Sequence, residues 1–145
     1  MPKDTTEGLG SVALSQAFVL PEADQRYLGN LGLPWERLKD GNTQWLIIHD
    51  WQTPDGYNLR QVDVALLIPP LYPDSQIDMV YFSPYLSRTD GRPIGTLTTC
   101  PIKQTNWQRW SRHRTPQHPW RPGVDDVASH LALVDDWLRR EFERR

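Results

Sequence analysis

Thirteen prolines punctuate this chain of 145 residues. Each fixes φ and removes a backbone donor, so this density favours long ordered connections and leaves room for few uninterrupted elements. What lies between the prolines is therefore the framework. "WLIIHDW" (45–51) and "VDVALLI" (62–68) are rich in β-branched and aromatic residues, and the "TPDGYN" between them carries turn chemistry. They predict an antiparallel hairpin. After the stiff connection of Pro69, Pro70 and Pro73, "IDMVYF" (77–82) has the same character and extends the sheet as a meander.

Helices flank these strands. "LPEADQRYLGNLG" opens with a proline followed by acidic residues and closes in glycines, the order expected of a short helix that Pro21 begins and that stops near Gly29 to Gly32. At the other end, Val124, Val127, Leu131, Val134 and Leu138 recur at helical spacing and form a core-facing stripe. Asp125 and Asp126 stand in its first turn and Arg139, Arg140, Arg144 and Arg145 at its end, complementing the helix dipole. Between Ser83 and Gly123 the periodic signal disappears, which in a compact domain points to a functional loop or a misread element. The fold class expected is α+β: a short N-terminal helix, an antiparallel meander of three to four strands and a C-terminal helix packed on it. Residues 1–19 are expected to be a mobile N-terminal segment and 20–145 a single domain.

Composition narrows the function. Sixteen basic and 18 acidic residues give a formal charge of −2, too balanced to call for nucleic acid or a membrane surface. No apolar run approaches the ~20 residues of a membrane helix. One cysteine cannot close an internal disulfide, and the N-terminus lacks a basic segment joined to an apolar one, so the expected location is cytoplasmic. No histidine has partners at ligand spacing, so neither a metal nor a cofactor is called for.

The single cysteine is Cys100, in "IGTLTTCPI". A lone cysteine is commonly an inert small apolar side chain. This one is flanked by threonines and a proline in irregular sequence, with Lys103, Arg109, Arg112 and His113 close along the chain, a setting that suits a thiolate. The run from Lys103 to Arg121 holds no acidic residue and contains Trp107, Trp110 and Trp120. Three readings stay open: tryptophans packed under the loop with solvated arginines, a docking surface for a protein, or a single-strand-binding loop. Asp90 in "TDG" reads as a turn residue, with orientation of an incoming amine as the alternative.

The order "YPD…IDMVYFSPYL…DGRP…TTC…NWQRWSRH…WRPGVDDVASHLALVDDWL" resembles the ubiquitin-conjugating (UBC) enzymes, in particular prokaryotic family E, over roughly residues 20–140. Tyr72-Pro73, Cys100, Trp107 and the final helix stand where that family has its proline-rich segment, its active cysteine in a loop, a following tryptophan and a packed helix. The resemblance implies a UBC-like fold and an enzyme that accepts a modifier's C-terminus as a thioester on Cys100 from an activating enzyme and passes it to a target amine. It also implies the partners: a ubiquitin-like modifier, the activating enzyme, the target protein and a deconjugating metallopeptidase from the same operon, in a bacterial antiphage defence system. One departure stands out. The His-Pro-Asn triplet that precedes the cysteine in eukaryotic members is missing from "RTDGRPIGTLTT". Bacterial relatives without it point to a histidine after the cysteine, and His113 is the candidate here. Thr98, Thr99 and Asn106 are further polar groups for an oxyanion. The alternatives are an inactive UBC-like module that only binds a modifier or partner, and a cysteine hydrolase using Cys100 and His113.

Overall fold

The computed structural model describes residues 18–143. Helix α1 (Glu22–Leu31) follows Pro21 and ends at Gly32, whose φ of 80° is the left-handed conformation that closes a helix and that glycine adopts without strain. The chain then lays down strands β1 (Trp35–Asp40), β2 (Thr43–Gln52), β3 (Gln61–Ile68), β4 (Val80–Ser83), β5 (Leu97–Ile102) and β6 (Thr105–Trp110), before helix α2 (Val127–Arg140) and a 3-10 turn, Glu141–Glu143. All neighbours are antiparallel, and the order across the sheet is β1-β2-β3-β4-β6-β5. The α+β expectation holds, with two helices flanking an antiparallel sheet.

The sheet has six strands rather than three or four. β1 was hidden because "WERLKD" alternates without a strong apolar partner on either face. β5 and β6 lie inside the stretch expected to be irregular, so Cys100 sits in a strand and not in a loop. The run 77–82 is a strand only from Val80, although Ile77 is fully buried. α2 begins at Val127, capped by Asp126, whose side chain accepts from the Ser129 N–H while the Ser129 hydroxyl accepts from the Asp126 N–H. Val124 therefore lies outside the helix and is exposed, whereas Val127, Leu131, Val134 and Leu138 are buried as the stripe requires. The expected mobile segment 1–19 and the two terminal arginines lie outside the described residues, Phe18 and Val19 excepted.

Strand alternation divides the sheet into two faces. On one, Leu46, Ile48, Val64, Leu66, Val80, Phe82 and Trp110 meet Leu131, Val134 and Leu138 of α2 and Leu28 of α1 in the main core. On the other, Trp45, Ile47, Ala65, Tyr81, Ile102 and Trp107 form a second core with Cys100 packed against it. Among the described residues no helix takes part in that second cluster. Curvature of the sheet builds it instead: the Lys103 N–H, at the β5–β6 turn, donates to Asp40 Oδ2 at the end of β1 at 3.0 Å, although β1 and β5 are opposite edges. Trp45 and Tyr81 meet edge to face inside the concavity, 4.9 Å apart.

Candidate functional site

Cys100 is a free, half-buried thiol on the outermost strand. It pairs with Trp107, and Thr98 pairs with Arg109, so Thr98, Cys100, Trp107 and Arg109 share the concave face. Arg109 also pairs with Tyr81 of β4. Directly opposite Thr98, Arg109 Nε donates to Thr98 Oγ1 at 2.8 Å, and its pairing with Tyr81 sets its positive charge beside that hydroxyl. Cys100 is its diagonal neighbour on the same face, within reach of a long side chain. Burial raises the Tyr81 pKa above its ordinary value, and the adjacent Cys100 raises it further, while Arg109 works in the opposite direction. The hydroxyl therefore stays protonated beside the sulfur. The cysteine accordingly has one cation and one neutral donor on its own side of the sheet, the two kinds of group that can stabilise an oxyanion.

Other polar candidates are distributed differently. Thr99 points to the opposite face, where its hydroxyl meets Tyr85 Oη at 2.7 Å. Asn106 pairs with Pro101 and, by alternation, also faces away from Cys100. His113 follows β6, and its Nδ1 lies 2.9 Å from Asp78 Oδ2 with the ring 60% exposed. Asp78 precedes Val80, which pairs with Trp110, whereas Cys100 pairs with Trp107. At ~3.3 Å per strand residue, the histidine lies on the order of 15 Å from the cysteine along the strand direction. Cys100 and His113 are not brought together.

The tryptophans of the basic run, and two of its arginines, are consumed inside the protein. Trp107 and Trp110 are buried in the two cores, and the Trp120 indole donates to Pro73 O. Arg112 is buried, stacked over Trp110, and donates to Gly95 O and to Glu141 Oε1 at 3.0 Å. Arg114 lies over Trp120 with its side chain 10% exposed. The reading with packed tryptophans holds for the indoles but not for these two arginines, which are not solvated; a continuous phosphate-tracking surface is not available from them. Glu141 also accepts Arg88, which holds Asp90, while Asp90 accepts the Arg92 N–H. Arg88 lowers the Asp90 pKa, chiefly through that hydrogen bond, and Asp90 acts as the turn residue its sequence indicated. This cluster ties the segment leading into β5 to the end of α2.

His49 lies in β2, between Glu36 at 2.7 Å and Asp63 at 3.1 Å. Burial alone would lower its pKa, but the two carboxylates outweigh it and raise it. His130 is fully buried on α2, its Nε2 bonded to Met79 O, and burial lowers its pKa to about 4. Neither touches the cysteine. Among the described residues no group of three or more histidine, cysteine or acidic side chains is arranged to hold a metal, and no helix is long and apolar enough to cross a membrane.

Tyr81 was not singled out from sequence, and Arg109 entered only as one of several basic residues close to Cys100 along the chain. Both look like strand residues of no particular chemistry until the register of β4, β6 and β5 places them beside one thiol. No curated protein and no solved structure matches the chain significantly. The model of the prokaryotic E2 family E matches residues 20–141, almost all of the described fold, both helices and every strand included. With its helix-flanked antiparallel sheet and single half-buried thiol, this chain belongs to prokaryotic E2 family E.

Proposed function

We propose that the protein is a conjugating enzyme that carries the C-terminus of a ubiquitin-like modifier as a thioester on Cys100. The observation that supports this is the setting of the thiol: half-buried on an edge strand, with Arg109 and Tyr81 on the same face, in a chain of an E2 family. The activating enzyme's thioester carbonyl accepts the Cys100 sulfur, the enzyme's own thiolate leaves, and an amine of the target later displaces Cys100. Exchange between thioesters has little driving force, so the barrier is governed by alignment and by donors to the tetrahedral oxyanion. Arg109 and the neutral Tyr81 hydroxyl supply those donors. Loss of one such donor typically costs ~2.7–4 kcal/mol of transition-state stabilisation.

His113 has a separate proposed part. Held by Asp78 and open to solvent, it suits contact with the arriving acceptor more than with the sulfur. His113→Ala then slows discharge to an amine more than it weakens partner binding. The partners follow from the family: a modifier, an activating enzyme, a target protein and a deconjugating metallopeptidase, within a cytoplasmic antiphage system.

The test is reconstitution with activating enzyme, ATP and modifier, followed by a non-reducing gel. A thiol-sensitive adduct that Cys100→Ala abolishes is expected. Absence of the adduct beside an activating enzyme charged with modifier removes the reading. The second reading, a binding module without transfer, is favoured by the missing His-Pro-Asn triplet and by the distance of His113 from the sulfur. It predicts that Cys100→Ala keeps full biological activity.

A further inference from the structure

Among the described residues β5 is an outer strand, paired with β6 on one side only. Which of its backbone groups face outward follows from its register. The Ser111 N–H donates to Thr96 O across the extension of the ladder at 3.1 Å, so Thr96 is an inward position. Alternation then turns the backbone groups of Thr98, Cys100 and Ile102 toward β6 and those of Leu97, Thr99 and Pro101 outward. Pro101 agrees with this assignment, since a residue with no N–H is tolerated in a ladder only where that group faces away. The outer edge thus offers an N–H and a C=O at Leu97 and again at Thr99, then loses its donor at Pro101, directly after the reactive cysteine. Leu97 is half-buried, and Thr99 and Pro101 are exposed.

We propose that the extended C-terminal tail of the modifier docks on this edge as an added strand parallel to β5. The tail bonds to Leu97 and Thr99 and ends where Pro101 interrupts the ladder, which delivers its terminal carbonyl to Cys100. A parallel run is the one that fits, because an antiparallel tail would carry its C-terminus toward Leu97 and away from the sulfur. Strand addition takes its affinity from main-chain hydrogen bonds, so the edge recognises an extended tail of varied sequence and sets its register by where the donors stop. The docking surface rests on the thioester reading and extends it to how the substrate is held.

The experiment compares two acyl donors with the same leaving group, a β-prone peptide benzyl thioester (acetyl-Val-Thr-Val-Thr-Gly) and acetyl benzyl thioester. In each, the Cys100 thiolate adds to the carbonyl carbon, a new C–S bond forms, and the benzyl thiolate departs with its electron pair and takes a proton from water. Intact-mass spectrometry follows acylation. With wild-type protein the peptide donor reacts about tenfold faster relative to acetyl than it does with free cysteine, the worth of one or two net hydrogen bonds. Thr99→Pro removes an outward N–H and no bond to β6, and it brings that ratio to about that of free cysteine. Thr99→Val loses the hydroxyl contact with Tyr85 but keeps the N–H, and its ratio stays above that of Thr99→Pro.

An equal ratio in wild type and Thr99→Pro, both folded by circular dichroism, overturns the docking surface while leaving Cys100 as the acceptor. Failure of both donors to acylate wild-type Cys100 faster than free cysteine overturns the thioester reading itself. Amide hydrogen exchange, with the unreactive peptide amide bound, gives a second readout that needs no substitution. Protection rises at Leu97 and Thr99 and stays level at Thr98 and Cys100. Protection at Leu97 and Thr99 already present in the free protein means another segment of the chain occupies the edge, and overturns the proposal.

Discussion

The hairpins β2–β3 and β5–β6 belong to one sheet, yet only the first is legible in the sequence. β2 and β3 lie between other strands and are covered on both faces: Leu46, Ile48, Val64 and Leu66 enter the helix-side core, and Trp45, Ile47 and Ala65 the concave one. The central positions, 45–48 and 64–68, are therefore all apolar, and the runs announce themselves. Among the described residues β5–β6 has a single neighbouring strand, and its burial is confined to Ile102, Trp107, Gln108 and Trp110. One of these four is polar. Gln108 is satisfied because its amide donates to Leu86 O and its Oε1 accepts from Leu86 N and from the Trp110 indole. A strand that is exposed on one edge and satisfies a buried amide internally carries no apolar period, so it reads as loop. Legibility follows coverage.

The largest effect that separates the two hairpins concerns their anchors. Trp110 is fully buried, meets Phe82 edge to face at 5.2 Å, and is the main hold of β6 on the helix-side core. Trp110→Ala is expected to cost ~3–5 kcal/mol, comparable to the ~2–5 kcal/mol of Leu66→Ala in β3. Urea denaturation of both variants measures the pair. A loss under ~1 kcal/mol for Trp110→Ala would make the outer hairpin an appendage rather than part of the cooperative core.

The candidate site divides in the same way. Cys100 could be found because it is the one thiol in the chain, and the family resemblance gave it a role. Its neighbours were less legible: Arg109 stood among several nearby basic residues until the β5–β6 register set it opposite Thr98, and Tyr81 reaches the thiol only through two successive strand registers, a long-range property that no local spacing encodes. Proximity in sequence instead favoured His113, which the course of the chain carries on to Asp78. The helices were read well for the opposite reason: caps and periodicity are local. Even there Val124 was included in the stripe, because nothing local distinguishes it from Val127 until Asp126 caps the helix between them.

A smaller effect bears on how the outer hairpin is carried. β5–β6 hangs on β4, and the entry to β4 is set by Met79, whose φ of 58° is strained for a side chain of its size and whose carbonyl accepts His130 Nε2 at 2.9 Å. Unfolded, that imidazole binds a proton near 6.5; folded, burial holds it neutral to about 4, with the bond to Met79 O and the charges of Asp78 and Asp125 favouring the proton and Arg114 opposing it. Between those values protons bind only the unfolded chain, so stability falls as pH drops, by about 1.36 kcal/mol per unit and ~3 kcal/mol in all. The slope of unfolding free energy against pH should flatten in His130→Gln over this window. Exchange of β6 amides should accelerate in acid before that of β2 and β3. Equal acceleration in both hairpins would place the consequence of His130 in the core at large.

The finest distinction between the hairpins lies at the β5–β6 turn. Lys103 and Gln104 have φ of 48° and 69°, so both central residues of a two-residue hairpin are left-handed, the type I′ geometry that Asn-Gly adopts with least strain. Lysine and glutamine hold it against ~1–2 kcal/mol each of steric preference. What keeps them there is visible at one contact, the Lys103 N–H on Asp40 Oδ2, which draws the tip across to β1 and closes the concave core. Replacing the pair with Asn-Gly relieves the strain and keeps that N–H, and is expected to stabilise the protein by about 0.5–1 kcal/mol, less than the strain removed because glycine also loosens the unfolded chain. A rise of a few degrees in the thermal midpoint would measure it. A fall instead means that the two long side chains hold the tip through their own contacts, and that the outer hairpin is fixed at its turn as firmly as the inner one is by its neighbours.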